Sequence, residues 1–236
     1  MTNQAGHTSR MLWASGEWTA PLKAADQGRW APGLAASRVP YSSRQRRVTS
    51  AEISREVYRH RFRSTRNFER RPLVGGQLER LTQMLQPARD GSPPYASAGA
   101  LYPVHLYAFE YVDELEANTL YLDNAESCVY EVSKVTTSAV GDAVFETWCW
   151  PSGALIAFVI DFRRVCGKYG PRGVRFACIE VGLVSQIARS AAADIGLGTC
   201  LVGGYSDFKV IQLLGLDSEY FGVACLLAIG SAQESV

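Results

Sequence analysis

The segment 172–195 constrains this chain more than any other. Its apolar residues fall at 174, 177, 178, 179, 181, 183, 184, 187, 188, 191, 192 and 195. Wound at ~3.6 residues per turn, they cover nearly the whole circumference of a helix. Such a helix cannot stand in water and needs a core or a subunit interface on most of its sides. Gly167, Gly170 and Pro171 precede it and predict an irregular loop. Gly196 suits the left-handed residue that ends a helix.

The rest of the chain supplies packing partners. The stretch 154–162, apolar up to Asp161, predicts a strand buried on both faces. A second strand is expected at 104–111, with Leu106, Ala108 and Glu110 on one face, a partner at 119–122, and a closing strand at 223–231. Leu78, Leu81 and Leu85 put one apolar face on a helix over 74–85. Ser50 as N-cap, with Ile53, Val57 and Tyr58, opens an earlier helix; 208–214 predicts a short one, and 124–150 two more. The order is neither strictly βαβ nor all-helical, so the expected class is α+β: a central sheet with helices around it.

Composition narrows the setting. With 236 residues, 47% hydrophobic and 20% charged, the chain has the make-up of a globular protein with a sizeable core. Residues 1–48 are rich in Gly, Ala, Ser, Pro and Arg but carry Trp13, Trp18, Trp30 and Tyr41, which predicts an extension partly packed on the body or on a second subunit; 49–236 is the expected domain. Fourteen Lys and Arg against five Asp and Glu make residues 1–75 basic. A solvated lead-in explains this for 1–50, and phosphate binding for 59–71. The six cysteines form no Cys-x-x-Cys pair and read as small core residues of a reducing compartment. His7, His60 and His105 stand singly, so no metal site is expected. No secretory signal is read in the first twenty residues, and the apolar runs 154–160 and 223–229 are far short of the ~20 residues of a membrane span. A cytoplasmic protein without membrane or nucleic-acid partners is expected.

Four constellations can carry chemistry. Arg63, Ser64 and Arg66 offer two guanidiniums and a hydroxyl to a phosphate, although a solvated Arg-rich turn has the same wording. Ser97, Ala98, Gly99, Ala100 and Leu101 let backbone approach a ligand closely, or simply enter a strand. Lys168 and Tyr169 are adjacent. On a helix their side chains would diverge by ~100°, so a shared pocket requires the irregular loop. A solvated lysine titrates near ~10.4, so a base at neutral pH needs desolvation or cationic neighbours, which Arg172 and Arg175 provide. Only four lysines accompany twenty arginines, which favours a group able to deprotonate. Leu201, Gly203 and Gly204, with Gln186 upstream, form a second glycine loop able to lie against a flat ring, or a tight helix-to-loop connection.

Together these segments, in this order, resemble the flavin-dependent nitroreductase superfamily, and within it the SagB/McbC-type dehydrogenases that oxidise azolines in peptide natural products. The likeness runs from about 55 to 230. Its most specific wording is Tyr169-Gly170-Pro171-Arg172-Gly173-Val174-Arg175-Phe176. Two positions depart from the pattern: Phe62 stands where many members have Arg, and the chain ends without a basic residue near the phosphate. Arg61, Arg63 and Arg70 are the nearby replacements.

The resemblance implies a nitroreductase-like sandwich with a mostly antiparallel sheet, in an intertwined homodimer with FMN at the interface. It assigns Arg63, Ser64 and Arg66 to the FMN phosphate. Ser97, Ala98, Gly99, Leu101, Gln186, Leu201, Gly203 and Gly204 frame the flavin. Lys168 is the base, and Tyr169 orients it or relays its proton. The implied reaction turns a thiazoline or oxazoline, peptide-borne or carrier-bound, into its azole, with dioxygen as electron sink and a cyclodehydratase as partner. Two other readings stay open. One is a different FMN oxidoreductase on the same fold: a nitro- or quinone reductase, or a dehydrogenase forming α,β-unsaturated peptides or diketopiperazines. The other is a flavin-free scaffold of a peptide-modifying complex.

Overall fold

The computed structural model describes residues 45–47, 63–88 and 91–233, the first three by their backbone. The helix expected at 49–58 and most of the expected extension lie outside these residues.

Seven strands form one sheet: β1 (Gln45–Arg47), β2 (Val104–Tyr111), β3 (Glu116–Asp123), β4 (Cys128–Thr136), β5 (Ala154–Asp161), β6 (Gly198–Val202) and β7 (Phe221–Gly230). Their spatial order is β1-β4-β3-β2-β5-β7-β6, and every paired strand is antiparallel. Among the described residues, five α-helices cover it: α1 (Gln77–Met84), α2 (Thr137–Ala143), α3 (Phe162–Tyr169), α4 (Arg172–Asp194) and α5 (Asp207–Leu213). The expected α+β class holds.

The central strand β5 is buried along its whole length. Its side chains alternate between two cores, as the pleat requires. Ile156, Phe158 and Ile160 join Leu106, Ala108, Leu227 and Ile229 under α1, α3 and α4. Leu155, Ala157 and Val159 join Tyr107, Phe109, Leu226 and Ala228 under α2 and α5. A strand with helices on both faces cannot afford polar alternation, which explains the continuous apolar run.

Helix α4 ends as Gly196 suggests. Gly196 has φ of 74°, Leu197 N–H reaches Ala192 O at 2.8 Å, and Gly196 N–H reaches Ala193 O at 3.1 Å, the double closure of a Schellman motif. In length and composition α4 would also pass for a membrane span, but here one side of it packs into the sheet core. Its other side remains open, with Ile179 57% and Leu183 40% exposed.

Three expectations are corrected. The stretch 124–150 contains β4 before its short helical pieces. Asp123 Oδ1 accepts the Ala125 and Glu126 N–H groups and closes a tight β3–β4 connection, so pairing with β3 decides the conformation of Cys128–Thr136. Gly198–Val202 is an edge strand and not a loop. Lys168 and Tyr169 end helix α3 and do not lie on an irregular loop.

Candidate functional site

The antiparallel order places the expected site residues toward two ends of the sheet. At one end, β2 begins where β5 ends (Val104 opposite Ile160). The loop before β2 therefore meets the helix after β5. Asp161 closes β5 and caps α3: its Oδ1 accepts Arg163 N–H, and both carboxylate oxygens hold the Arg163 guanidinium, at 3.0 and 2.8 Å.

At the last turn of α3, Lys168 and Tyr169 converge on Gly99. A Cβ at Gly99 would lie 2.5 Å from both Lys168 Nζ and Tyr169 Oη. The two atoms are therefore within about 5 Å of each other. Helical divergence does not separate them, because both side chains are long and the helix stops at Gly170, with φ of 57°. Tyr169 packs edge-on against Phe176 with ring centroids 5.0 Å apart, and Lys168 Nζ sits 5.4 Å from the Tyr169 ring centre. Lys168 is exposed and Tyr169 half-buried.

The loop that receives them is strained. Gly99, Ala100 and Tyr102 all have positive φ, at 63°, 54° and 46°. Left-handed backbone at non-glycine residues costs roughly 1–2 kcal/mol each and persists only where its surroundings enforce it. Ser97 Oγ accepts Tyr102 N–H at 2.8 Å, and Arg164 donates to Tyr102 O at 2.9 Å. Beneath lies Glu180 of α4, 2% exposed, its Oε1 buried without a hydrogen-bond partner among the described residues. Burial raises its carboxyl above the usual range, opposed by the neighbouring Ser97, the Val104 N–H and the Arg164 charge. Leu101 turns its side chain into the core.

The other end is built on β6. The segment 63–66 runs beside it: Ser64 bridges to Thr199, and Thr65 N–H donates to Thr199 O at 2.9 Å. Thr65 fills the space over Gly198, where a Cβ would meet its Oγ1 at 2.5 Å. This anchoring leaves Arg63, Ser64 and Arg66 exposed. Among the described residues, Arg70, Arg71 and Arg163 pair with carboxylates, whereas Arg63 and Arg66 do not. Two exposed guanidiniums that no carboxylate of the described residues pairs, on a pinned segment, suit an anion. Arg70 is held by Glu114 at 3.2 Å and lines a separate cavity of about 240 Å³ with Tyr111 and Trp150.

Along β6, Cys200 and Val202 are buried while Leu201 and Gly203 face out. A Cβ at Gly203 would meet none of the described residues within 4 Å, which leaves room there for a flat group. Gly203 is four residues beyond Thr199, or about 13 Å at strand rise. That is the reach of a mononucleotide from phosphate to base. Gln186 shares the open stripe of α4 with Leu183, one turn away, and Ile179, two turns away.

Strand β7 runs from Phe221, opposite Asp161, to Gly230, opposite Gly198, a length of about 30 Å. Val202 stands opposite Leu226, so Gly203 lies between these ends, about 13 Å along the strand from the Asp161 end.

Residues outside the expected set also enter. The Arg66 guanidinium lies 5.7 Å above the Trp148 ring, and Trp148 Nε1–H donates to Glu146 Oε2 at 2.8 Å. The sequence signal for Glu180 was a single carboxylate on the core face of α4; Trp148 and Glu146 gave none.

This antiparallel sheet, flanked by helices and carrying an anion-ready arm beside a glycine-bearing edge strand, is the scaffold of a group of redox enzymes. The nitroreductase family profile matches residues 60–231, and the chain belongs to the nitroreductase family. It is an oxidoreductase, and members of that family are typically flavin-dependent. Among relatives, the nitroreductase-family protein MJ1384 of Methanocaldococcus jannaschii is 26% identical over 183 residues, covering 72% of this chain and 87% of that protein. The microcin B17-processing protein McbC of Escherichia coli is 30% identical over 137 residues, covering 53% of this chain and about half, 49%, of McbC. A chain of the E. coli microcin synthetase McbBCD complex, with truncated pro-MccB17 bound, superposes with a TM-score of 0.66 at 21% identity, over 94% of this chain and 86% of that one. At that identity the likeness speaks for the fold.

Proposed function

We propose that this chain is an FMN-dependent dehydrogenase that oxidises a thiazoline or oxazoline to its azole in a peptide natural product. The observation that carries the reading is the convergence of Lys168 Nζ and Tyr169 Oη on Gly99. The similarity to McbC supports the substrate class.

In this reading the active unit is a homodimer. One chain holds the cofactor phosphate with Arg63, Ser64 and Arg66, and lays Leu201, Gly203 and Gly204 along the ring. The partner subunit brings its 97–101 loop and its Lys-Tyr pair. The exposed Ile179 and Leu183 beside Gln186 on α4 favour this. When bound, FMN supplies the two-electron acceptor, with dioxygen as the final oxidant.

The protein's own work is position and proton transfer. Lys168 Nζ takes the proton from one ring carbon as the neighbouring carbon gives up its hydride. Tyr169 Oη, held edge-on to Phe176, fixes Nζ and relays that proton outward. The strained loop keeps Gly99 free of a side chain so that both atoms reach one point. Peptide substrate and a cyclodehydratase that makes the azoline are the proposed partners.

A second reading, a nitro- or quinone reductase, draws on the MJ1384 likeness, which covers most of both chains. Purified protein should be yellow with a flavin spectrum, and should remove two hydrogens from a thiazoline peptide in mass spectrometry. Steady NAD(P)H consumption with a nitroaromatic and no change in the peptide mass would favour the reductase.

A further inference from the structure

We infer that Trp148 and Glu146 are positioning residues for the anion arm: they hold the Arg66 guanidinium ready for a phosphate and tie it to the second glycine segment. This rests on the proposed FMN site and deepens it.

A continuous series of contacts carries the inference. The Arg66 guanidinium lies over the Trp148 ring at 5.7 Å, and the indole N–H donates to Glu146 Oε2 at 2.8 Å. Glu146 is itself fixed, since its backbone O accepts Cys149 Sγ at 2.8 Å and Cys149 N–H at 3.2 Å, and Cys149 is fully buried. Its other carboxylate oxygen faces Gly204, where a Cβ would lie 2.8 Å from Glu146 Oε1. Phe145 N–H donates to Gly204 O at 2.7 Å, locking that contact. The anion arm and the ring segment are thus joined through two side chains.

The chemistry suits the role. An exposed arginine has many rotamers, and fixing one on binding opposes affinity. Stacking on a held indole selects the rotamer beforehand. The stack covers a face of the guanidinium and leaves its N–H edge for two parallel bonds to a phosphate. Glu146 engages the indole, and among the described residues no carboxylate pairs with the Arg66 guanidinium.

The test compares FMN with riboflavin, which lacks the phosphate, by fluorescence titration of flavin-depleted full-length protein. Arg66→Ala should weaken FMN about 10-fold or more and leave riboflavin unchanged. Trp148→Leu should weaken FMN roughly 3- to 30-fold, again sparing riboflavin, with no further loss when combined with Arg66→Ala. Trp148→Phe and Glu146→Gln should keep most FMN affinity, while Glu146→Ala should resemble Trp148→Leu. These last three also serve if Trp148→Leu does not fold. Equal losses for both ligands, or wild-type FMN affinity in Trp148→Leu and Glu146→Ala, would overturn the positioning role while Arg66→Ala still discriminates. If Arg66→Ala itself fails to discriminate, the phosphate site falls and this inference with it.

Discussion

Replacing Gly99 with alanine puts a methyl group where Lys168 Nζ and Tyr169 Oη meet. Two effects can be separated by size. The first is backbone strain: Gly99 has φ of 63°, and alanine there costs roughly 1–2 kcal/mol. For a domain of this size that lowers the melting temperature by about 2–8 °C, which leaves a folded protein. The second is displacement. The new Cβ would sit 2.5 Å from both atoms, and ordinary contact begins at 3.4 Å, so each must retreat by about 0.9 Å. A misplacement of ~1 Å at a reacting group can cost about 100-fold in rate. Gly99→Ala should therefore keep its flavin and lose about two orders of magnitude in azole formation, read as the two-hydrogen mass loss of a thiazoline peptide. Gly167→Ala, one residue before Lys168, is the control. Its methyl meets nothing within 4 Å, and the change should raise helix stability by about 0.5–1 kcal/mol with turnover intact. Wild-type turnover in a folded, flavin-loaded Gly99→Ala protein would refute the placement of the chemistry at this point.

Lys168→Ala should stay folded and yellow but form no azole; activity retained on the azoline peptide would remove Lys168 from the base role. Ile179→Glu, on the open stripe of α4, should give a folded monomer that has lost its flavin by light scattering and absorbance, and a yellow monomer would contradict the shared site. His105 provides the pH dependence. Burial outweighs the nearby Asp161 charge, with Arg163 and Arg164 assisting, and lowers the imidazole to about 4. Its unfolded value is near 6.5, so between those limits the unfolded chain binds more protons and stability falls on acidification, by at most roughly 3 kcal/mol. His105→Gln should flatten the stability loss between pH 7 and pH 5 in denaturant titrations; an unchanged slope would assign that loss to other groups.

Much of the sheet and its helices was legible from apolar run length. Strands buried on both faces and a helix apolar all round have few other solutions, and β2, β5, β7, α4 and α5 lie close to where their patterns place them. Strand β4 was not legible because Glu131, Ser133 and Lys134 interrupt its apolar residues, and only pairing with β3 makes them a strand. Lys168 and Tyr169 were legible as a pair but not in their setting. The glycines around them suggested a loop, whereas Asp161 caps a helix through Tyr169.

By itself, then, the amino-acid order determined the class of fold, the long apolar helix and the residue types available for an anion, a flat ring and a proton. Those are local properties: periodicity, side-chain chemistry and the conformational freedom of glycine. Tertiary structure alone decided which groups meet. Antiparallel pairing of β2, β5 and β7 sends the Gly99 loop to one end and the arginine arm to the other, and places Trp148 under Arg66 across more than eighty residues. Such meetings depend on strand register and helix length summed over the whole chain, which no short stretch of sequence contains.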